Sequence, residues 1–130
     1  MGITFDTGAL IRLVDQRHLS MRKIFANAQL AGVEIHVPAV VVTEWWRSGV
    51  MEKERVRYLR AMRVVPIDEP TARIAGEAMG QLRGATAIDA ILMAVAWRNG
   101  DACVYTSDPI DLTILRDGFS PFRVINIERV

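Results

Sequence analysis

Apolar and polar positions alternate between two periods along the chain. Gly2 to Phe5 forms a short apolar run that predicts a strand, and TGALIRLVDQ after Asp6 places Ala9, Leu10, Leu13 and Val14 on one helical face. SMRKIFANAQLAG predicts a second helix, with Ser20 as its cap and Gly32 as its stop. VEIHV predicts a second strand, and Pro38 suits the first turn of the helix that carries AVVVTEWWR and ends near Gly49. Met51 to Met62 reads as an Arg-rich amphipathic helix, RVVPI as a short strand, and Pro70 opens a helix running to Gly84. Thr86 caps AIDAILMAVAWRNG, whose end is marked by Asn99 and Gly100. ACVYT predicts a strand, DPIDLTILRDG a short helix and FRVINI a last strand.

Strands alternating with helices imply an α/β three-layer sandwich around a mostly parallel central sheet. The 130 residues suit a single domain, residues 1–130, with one core, and neither an internal repeat nor a low-complexity segment interrupts it. Right-handed crossovers set the carboxyl ends of parallel strands along one edge, where sites form. Asp6 and Asp108 fall just beyond strand ends on that edge. Asp89 stands in the first turn of a helix that returns from it, and Glu44 in the second turn of a helix that leaves it. The pattern therefore directs four carboxylates toward one crevice.

Each acid also has a structural reading. Asp6 suits an N-cap. Asp89, three residues after Thr86, resembles the acid of a capping box. Asp108, followed by Pro109 and by Asp111 in the first turn, is a good helix start. Glu44 lies too deep in its helix to cap it, and amid Val40, Val41, Val42, Trp45 and Trp46 it needs either a partner or a solvent-facing strip shared with Thr43, Arg47 and Ser48.

Composition narrows the chemistry. A net charge of +1 does not by itself mark a nucleic-acid binder, but the basic residues are Arg except for Lys23 and Lys53, and the guanidinium fork suits phosphate. Arg47, Arg55, Arg57, Arg60 and Arg63 gather around the fourth helix, as a phosphate track or as a solvated face. Cys103 is the sole cysteine, so no internal disulfide forms, and a reducing compartment suits it. No apolar run approaches the roughly 18 residues that cross a bilayer, and MGITFDTGAL has neither a basic leader nor an apolar signal core. A cytoplasmic location without membrane contact is expected.

Clustered carboxylates repel unless a cation neutralises them. An all-oxygen set suits Mg²⁺ or Mn²⁺, and zinc is disfavoured because only His18 and His36 are present and no Cys pair exists.

The ordered motifs FDTGAL with Asp6, VVTEWWRSG with Glu44, AIDAILMAVAWRNG with Asp89 and VYTSDPIDL with Asp108 resemble those of PIN domains, specifically VapC-type toxin ribonucleases. The resemblance spans nearly the whole chain. It implies a metal-dependent endoribonuclease in which Asp6, Glu44, Asp89 and Asp108 hold one or two Mg²⁺ or Mn²⁺ ions and a metal-activated water attacks the phosphodiester. It further implies Thr7 and Thr106 as hydroxyls orienting the carboxylates, and Asp111 as an accessory acid or cap. The implied partners are an RNA substrate, a cognate antitoxin that covers the crevice, and a second copy in a homodimer. Trp45 and Trp46 serve either an interface or a split between core and surface. The rival readings are a PIN-like module that only binds protein or RNA, and a structure-specific DNA nuclease.

Overall fold

The structure, a computed structural model, describes residues 2–82, 84–117 and 125–130. Five strands, β1 (Ile3–Phe5), β2 (Ile35–Pro38), β3 (Arg63–Val65), β4 (Cys103–Thr106) and β5 (Asn126–Arg129), form one sheet in the order β3-β2-β1-β4-β5. Every pairing among the described residues is parallel, in keeping with the parallel central sheet that the sequence implies. The part of FRVINI before Ile125 lies outside the described residues.

The helices are α1 (Thr7–Leu10), continued by a π-helical segment (Ile11–Asp15), then α2 (Leu19–Ala31), α3 (Ala39–Trp45), α4 (Glu52–Arg60), α5 (Glu69–Gln81), α6 (Ala87–Asn99) and α7 (Pro109–Asp117). Two groups result. The π-helical segment packs on α1, α2 and α4, while α6 packs on α5 and α7. Because β1 leads to β2 and β3 in one direction and the chain then crosses back to β4 and β5, right-handed crossovers set these groups on opposite faces of the sheet. Short α3 touches both α1 and α6, bridging the layers.

α6 shows how sequence dictates burial. It is apolar around most of its circumference, and Ala90, Leu92, Met93, Ala94, Val95 and Ala96 are all buried. Its alanines let the equally small Ala75 and Ala78 of α5 approach closely. Thr86 caps it through the Asp89 N–H at 3.1 Å, and Gly100 ends it with φ +72°, a left-handed conformation that glycine adopts without a Cβ penalty.

Several boundaries differ from the sequence expectation. α2 starts at Leu19 with His18 rather than Ser20 in the cap position, directly after Arg17 at φ 52° breaks the preceding segment. Pro38 ends β2 instead of lying inside a helix; its φ of −59° and ψ of 140° are extended, and α3 begins after it. α3 then stops at Trp45, not near Gly49, because Trp46 is extended. The helix before Gly84 ends at Gln81. Cys103 is buried, and burial pushes its thiol up to about 11. No helix among the described residues is long and apolar enough to cross a membrane.

At the amino-terminal edge of the sheet, Thr4, His36 and Asp101 form a buried polar cluster. The Thr4 hydroxyl donates to Asp101 Oδ2, His36 Nδ1 lies 2.8 Å from the same carboxylate, and His36 Nε2 lies 3.0 Å from Glu34. Removing one member of such a cluster strands the others in a dry environment. Asp101→Ala is therefore expected to destabilise the fold by about 3 kcal/mol, measured as a lowered urea midpoint at unchanged m-value.

Candidate functional site

At the opposite, carboxyl edge the acids gather. Asp6 follows β1 directly and caps α1, its Oδ1 accepting the Ala9 N–H at 2.7 Å. That bond explains why the chain turns from strand to helix at this residue. Thr106, the last residue of β4 and fully buried, donates its hydroxyl to the Asp6 carboxylate. The same hydroxyl accepts the Asp108 N–H at 2.9 Å, so one oxygen ties together the segments that follow β1 and β4.

Glu44 reaches this edge on the last turn of α3, where the Thr7 hydroxyl donates to its Oε1 at 2.6 Å. Glu44 is exposed together with Thr43, Arg47 and Ser48, the solvent-facing strip of the two readings the sequence allowed; the apolar face of α3 is carried by Val41 and Trp45. Trp45 is buried while Trp46 is half-buried, so the adjacent indoles divide between core and surface.

Asp15, at the end of the π-helical segment, holds the α3 terminus. It accepts the Trp45 indole N–H at 2.9 Å and an Arg55 guanidinium N–H at 2.7 Å, and Arg55 also donates to the Arg47 carbonyl at 2.8 Å. The extra residue per turn of a π segment redirects the side chains beyond it. Its apolar spacing resembles that of an ordinary helix, and Asp15 carried no sequence signal.

Gly8 is a second residue the sequence did not single out. A Cβ there would fall 1.9 Å from Ser107 Oγ and 2.7 Å from Ser107 Cβ. This close approach sets the start of α1 against the loop between β4 and α7. A glycine one residue beyond the Asp-Thr pair of FDTG was the only available hint.

Asp89 is half-buried in the first turn of α6, while Asp108 and Asp111 are exposed at the start of α7. Asp6 and Asp89 are both pushed above the ordinary carboxylate value of 3.8, first of all by burial. The negative charges of Asp89 and Glu44 raise Asp6 further, against the pull of its Thr106 and Ala9 hydrogen bonds. Those of Asp111, Glu44 and Asp108 raise Asp89, against its Thr86 hydrogen bond. The structure thus brings Asp6, Glu44, Asp108 and Asp111 within electrostatic reach of Asp89, and Glu44 within reach of Asp6, with Thr7 bonded to Glu44 and Thr106 to Asp6.

The donor set is all oxygen and carries an excess of negative charge, which fits a hard divalent cation. Among the described residues, no group of three or more His, Cys, Asp or Glu is placed so as to hold a metal ion by itself. Mg²⁺ is commonly held by one or two carboxylates together with waters and substrate phosphate oxygens, so a group of three is not required for it.

Of the arginines grouped by sequence around α4, Arg57 and Arg60 share a hollow with Lys53, and Arg47 donates to the Trp46 carbonyl at 2.6 Å. Arg55 is committed to Asp15, Arg57 pairs with Glu54 at 2.9 Å, and Arg63 lies 3.7 Å from Glu34. Arg60 and Arg63 line a hollow with Gln29 and Glu34 at the amino-terminal edge, away from the acids. They do not form one track to the crevice.

The sequence model of the PIN domain family matches residues 3–110. No curated protein sequence matches the chain. Among solved structures, the chain is similar to VapBC2 from Rickettsia felis bound to a DNA fragment from their promoter (TM-score 0.76, 12% identity, 98% of each chain covered). It is also similar to VapC20 from Mycobacterium tuberculosis, a sarcin-ricin loop cleaving toxin (TM-score 0.64, 21% identity, 94% of this chain and 99% of that one). A toxin-antitoxin complex from Klebsiella pneumoniae matches at TM-score 0.59 and 18% identity, over 85% of this chain and 89% of that one.

Two outcomes follow from the geometry. Gly8→Ala forces Ser107 away from α1, and the expected result is a loss of divalent-cation affinity of at least tenfold in a Mn²⁺ titration, with the circular-dichroism spectrum retained. The second concerns pH. A carboxyl whose folded pKa is raised binds protons more tightly in the folded state, so stability falls as pH rises through that pKa. In EDTA at pH 7, Asp6→Asn is expected to melt roughly 3 °C above wild type, since Asn keeps the cap without the charge, and the gap closes toward pH 4. Saturating Mn²⁺ is expected to reverse the order at pH 7.

Proposed function

The chain belongs to the PIN domain family, and from that premise we propose that it is a metal-dependent endoribonuclease, the toxin of a toxin-antitoxin pair. The observation that carries the proposal is the placing of Asp6, Glu44 and Asp108, delivered from separate elements to one edge of the sheet, within electrostatic reach of Asp89. Helix capping alone accounts for neither Glu44 nor the convergence.

Asp6, Glu44, Asp89 and Asp108 would hold Mg²⁺ or Mn²⁺, one ion or two. When bound, such a cation supplies Lewis acidity to water and positive charge to the phosphoryl oxygens. The chain's own residues prepare its seat. Thr7 fixes one oxygen of Glu44 by donating to it, leaving the other free to bind. Thr106 holds Asp6 and the backbone of Asp108 at a set separation. Burial of Asp6 and half-burial of Asp89 strip these carboxylates of water, which strengthens their attraction for a cation and for nothing neutral. Asp111, one turn into α7, adds negative charge at the rim and would serve as an accessory acid.

The partners proposed are an RNA substrate, a cognate antitoxin and a second copy of the chain. The antitoxin reading is supported by the Klebsiella pneumoniae structure's being a toxin-antitoxin complex. Exposed Ile110 and Ile114 on α7, on either side of Asp111 in sequence, supply apolar surface beside the acids for such a segment. The RNA reading is supported by VapC20, described as cleaving the sarcin-ricin loop.

The decisive experiment incubates the purified chain with a mixed cellular RNA pool and Mg²⁺ or Mn²⁺. Cleavage is expected with metal, abolished by EDTA, and reduced at least a hundredfold in Asp89→Asn with the fold intact. Cleavage of DNA alone would replace the substrate class, and identical wild-type and mutant profiles without metal-dependent cutting would favour a binding module.

A further inference from the structure

An acidic crevice attracts a cation but repels the polyanion that is to be cut there, so positive charge is needed on its flank. Of the arginines around α4, Arg55 and Arg57 are paired with Asp15 and Glu54, Arg60 and Arg63 lie at the far edge, and Arg47 donates to the Trp46 carbonyl. The sheet register provides positive charge elsewhere. β5 pairs with β4 in parallel, Cys103 opposite Asn126 and Thr106 opposite Arg129. The Val130 N–H donates to the Thr106 carbonyl at 2.8 Å and pins the strand end.

Arg129 therefore stands level with Thr106, the residue whose hydroxyl joins Asp6 to the Asp108 backbone. Residues in register on parallel strands share a face, so Arg129 is on the Thr106 side of the sheet, about 5 Å away in backbone terms and about 10 Å from the β1 strand that ends at Asp6. Two residues earlier on the same face, Ile127 is half-buried in the core; Arg129 has cleared the core and is exposed. Among the described residues it makes no ion pair or hydrogen bond through its side chain. Arg73, Arg98 and Arg116 are each paired with an acid, whereas Arg22 and Arg47 donate only to backbone carbonyls.

We propose that Arg129 is the residue that grips the RNA backbone, holding a phosphate adjacent to the one placed at the acids. The inference rests on the nuclease reading and deepens it. A guanidinium matches two phosphate oxygens at once, and its place one strand beyond Thr106 directs the RNA across the β4–β5 side of the crevice. Arg129 is a positioning residue, outside the acid set, so its effect belongs to binding rather than to the chemical step.

The test is a fluorescence-anisotropy titration of a labelled single-stranded RNA pool in Ca²⁺, over a series of salt concentrations, beside cleavage kinetics in Mn²⁺. For Arg129→Gln the expected results are binding weakened about tenfold, from loss of a charge-assisted contact, and a salt slope shallower by about 0.7. KM is expected to rise with kcat within twofold of wild type. Arg129→Lys keeps the salt slope and recovers part of the affinity, while Arg60→Gln, at the opposite edge, matches wild type. If wild type binds and cleaves RNA but Arg129→Gln has the same affinity and salt slope, the inference fails and the nuclease reading stands. A fall in kcat at unchanged KM also overturns it. If wild type neither binds nor cleaves RNA, both fall together.

Discussion

Carboxylates repel one another, and the carboxyl edge of this sheet holds five of them within reach despite that repulsion. The opposing force is covalent and local. Each acid is fixed by the backbone of its own element: Asp6 by the start of α1, Glu44 by α3, Asp89 by the first turn of α6, Asp108 and Asp111 by the start of α7. None of these elements can retreat, because each is anchored in the core by a buried residue such as Leu10, Val41, Leu92 or Leu112. The core's packing energy thus overcomes an electrostatic penalty that is visible in the raised carboxyls of Asp6 and Asp89.

The two edges of the sheet treat buried charge differently. At the amino-terminal edge Asp101 is matched by the Thr4 hydroxyl and the His36 ring, so its charge is answered within the protein. Gly2 leaves the room for this, since a Cβ there would come within 2.8 Å of Asp101, Glu34 and His36 atoms. At the carboxyl edge the acids receive hydroxyls and backbone N–H groups but, among the described residues, no cationic side chain.

Local signals made most of the fold legible. The β/α alternation, the Thr86 cap, the Gly32 and Gly100 stops and the strand-end acids are all short-range features, and the structure contains each. The errors arose where a distant contact decides. α3 ends early because Trp46 turns extended and Asp15, about thirty residues back in the chain, claims the Trp45 indole. A π turn keeps the same apolar residues as an α turn, so periodicity could not separate them. The arginines of α4 looked alike in sequence, whereas their partners Asp15, Glu54 and Glu34 come from three different segments. Arg129 has no motif, and only the pairing of β5 with β4 gives it a place.

The Asp6 cap has an implication for how such a chain tolerates change. An N-cap needs an oxygen acceptor, and Asn supplies one about as well as Asp. At a buried position beside other acids, Asn would even be the more comfortable residue for folding. Selection for stability alone would therefore let the negative charge drift away while leaving helix and sheet untouched. A lineage freed from its chemistry would be expected to keep this architecture and lose the charge first, so that ionisable oxygen at the end of β1 is a more sensitive record of continuing use than the fold that presents it.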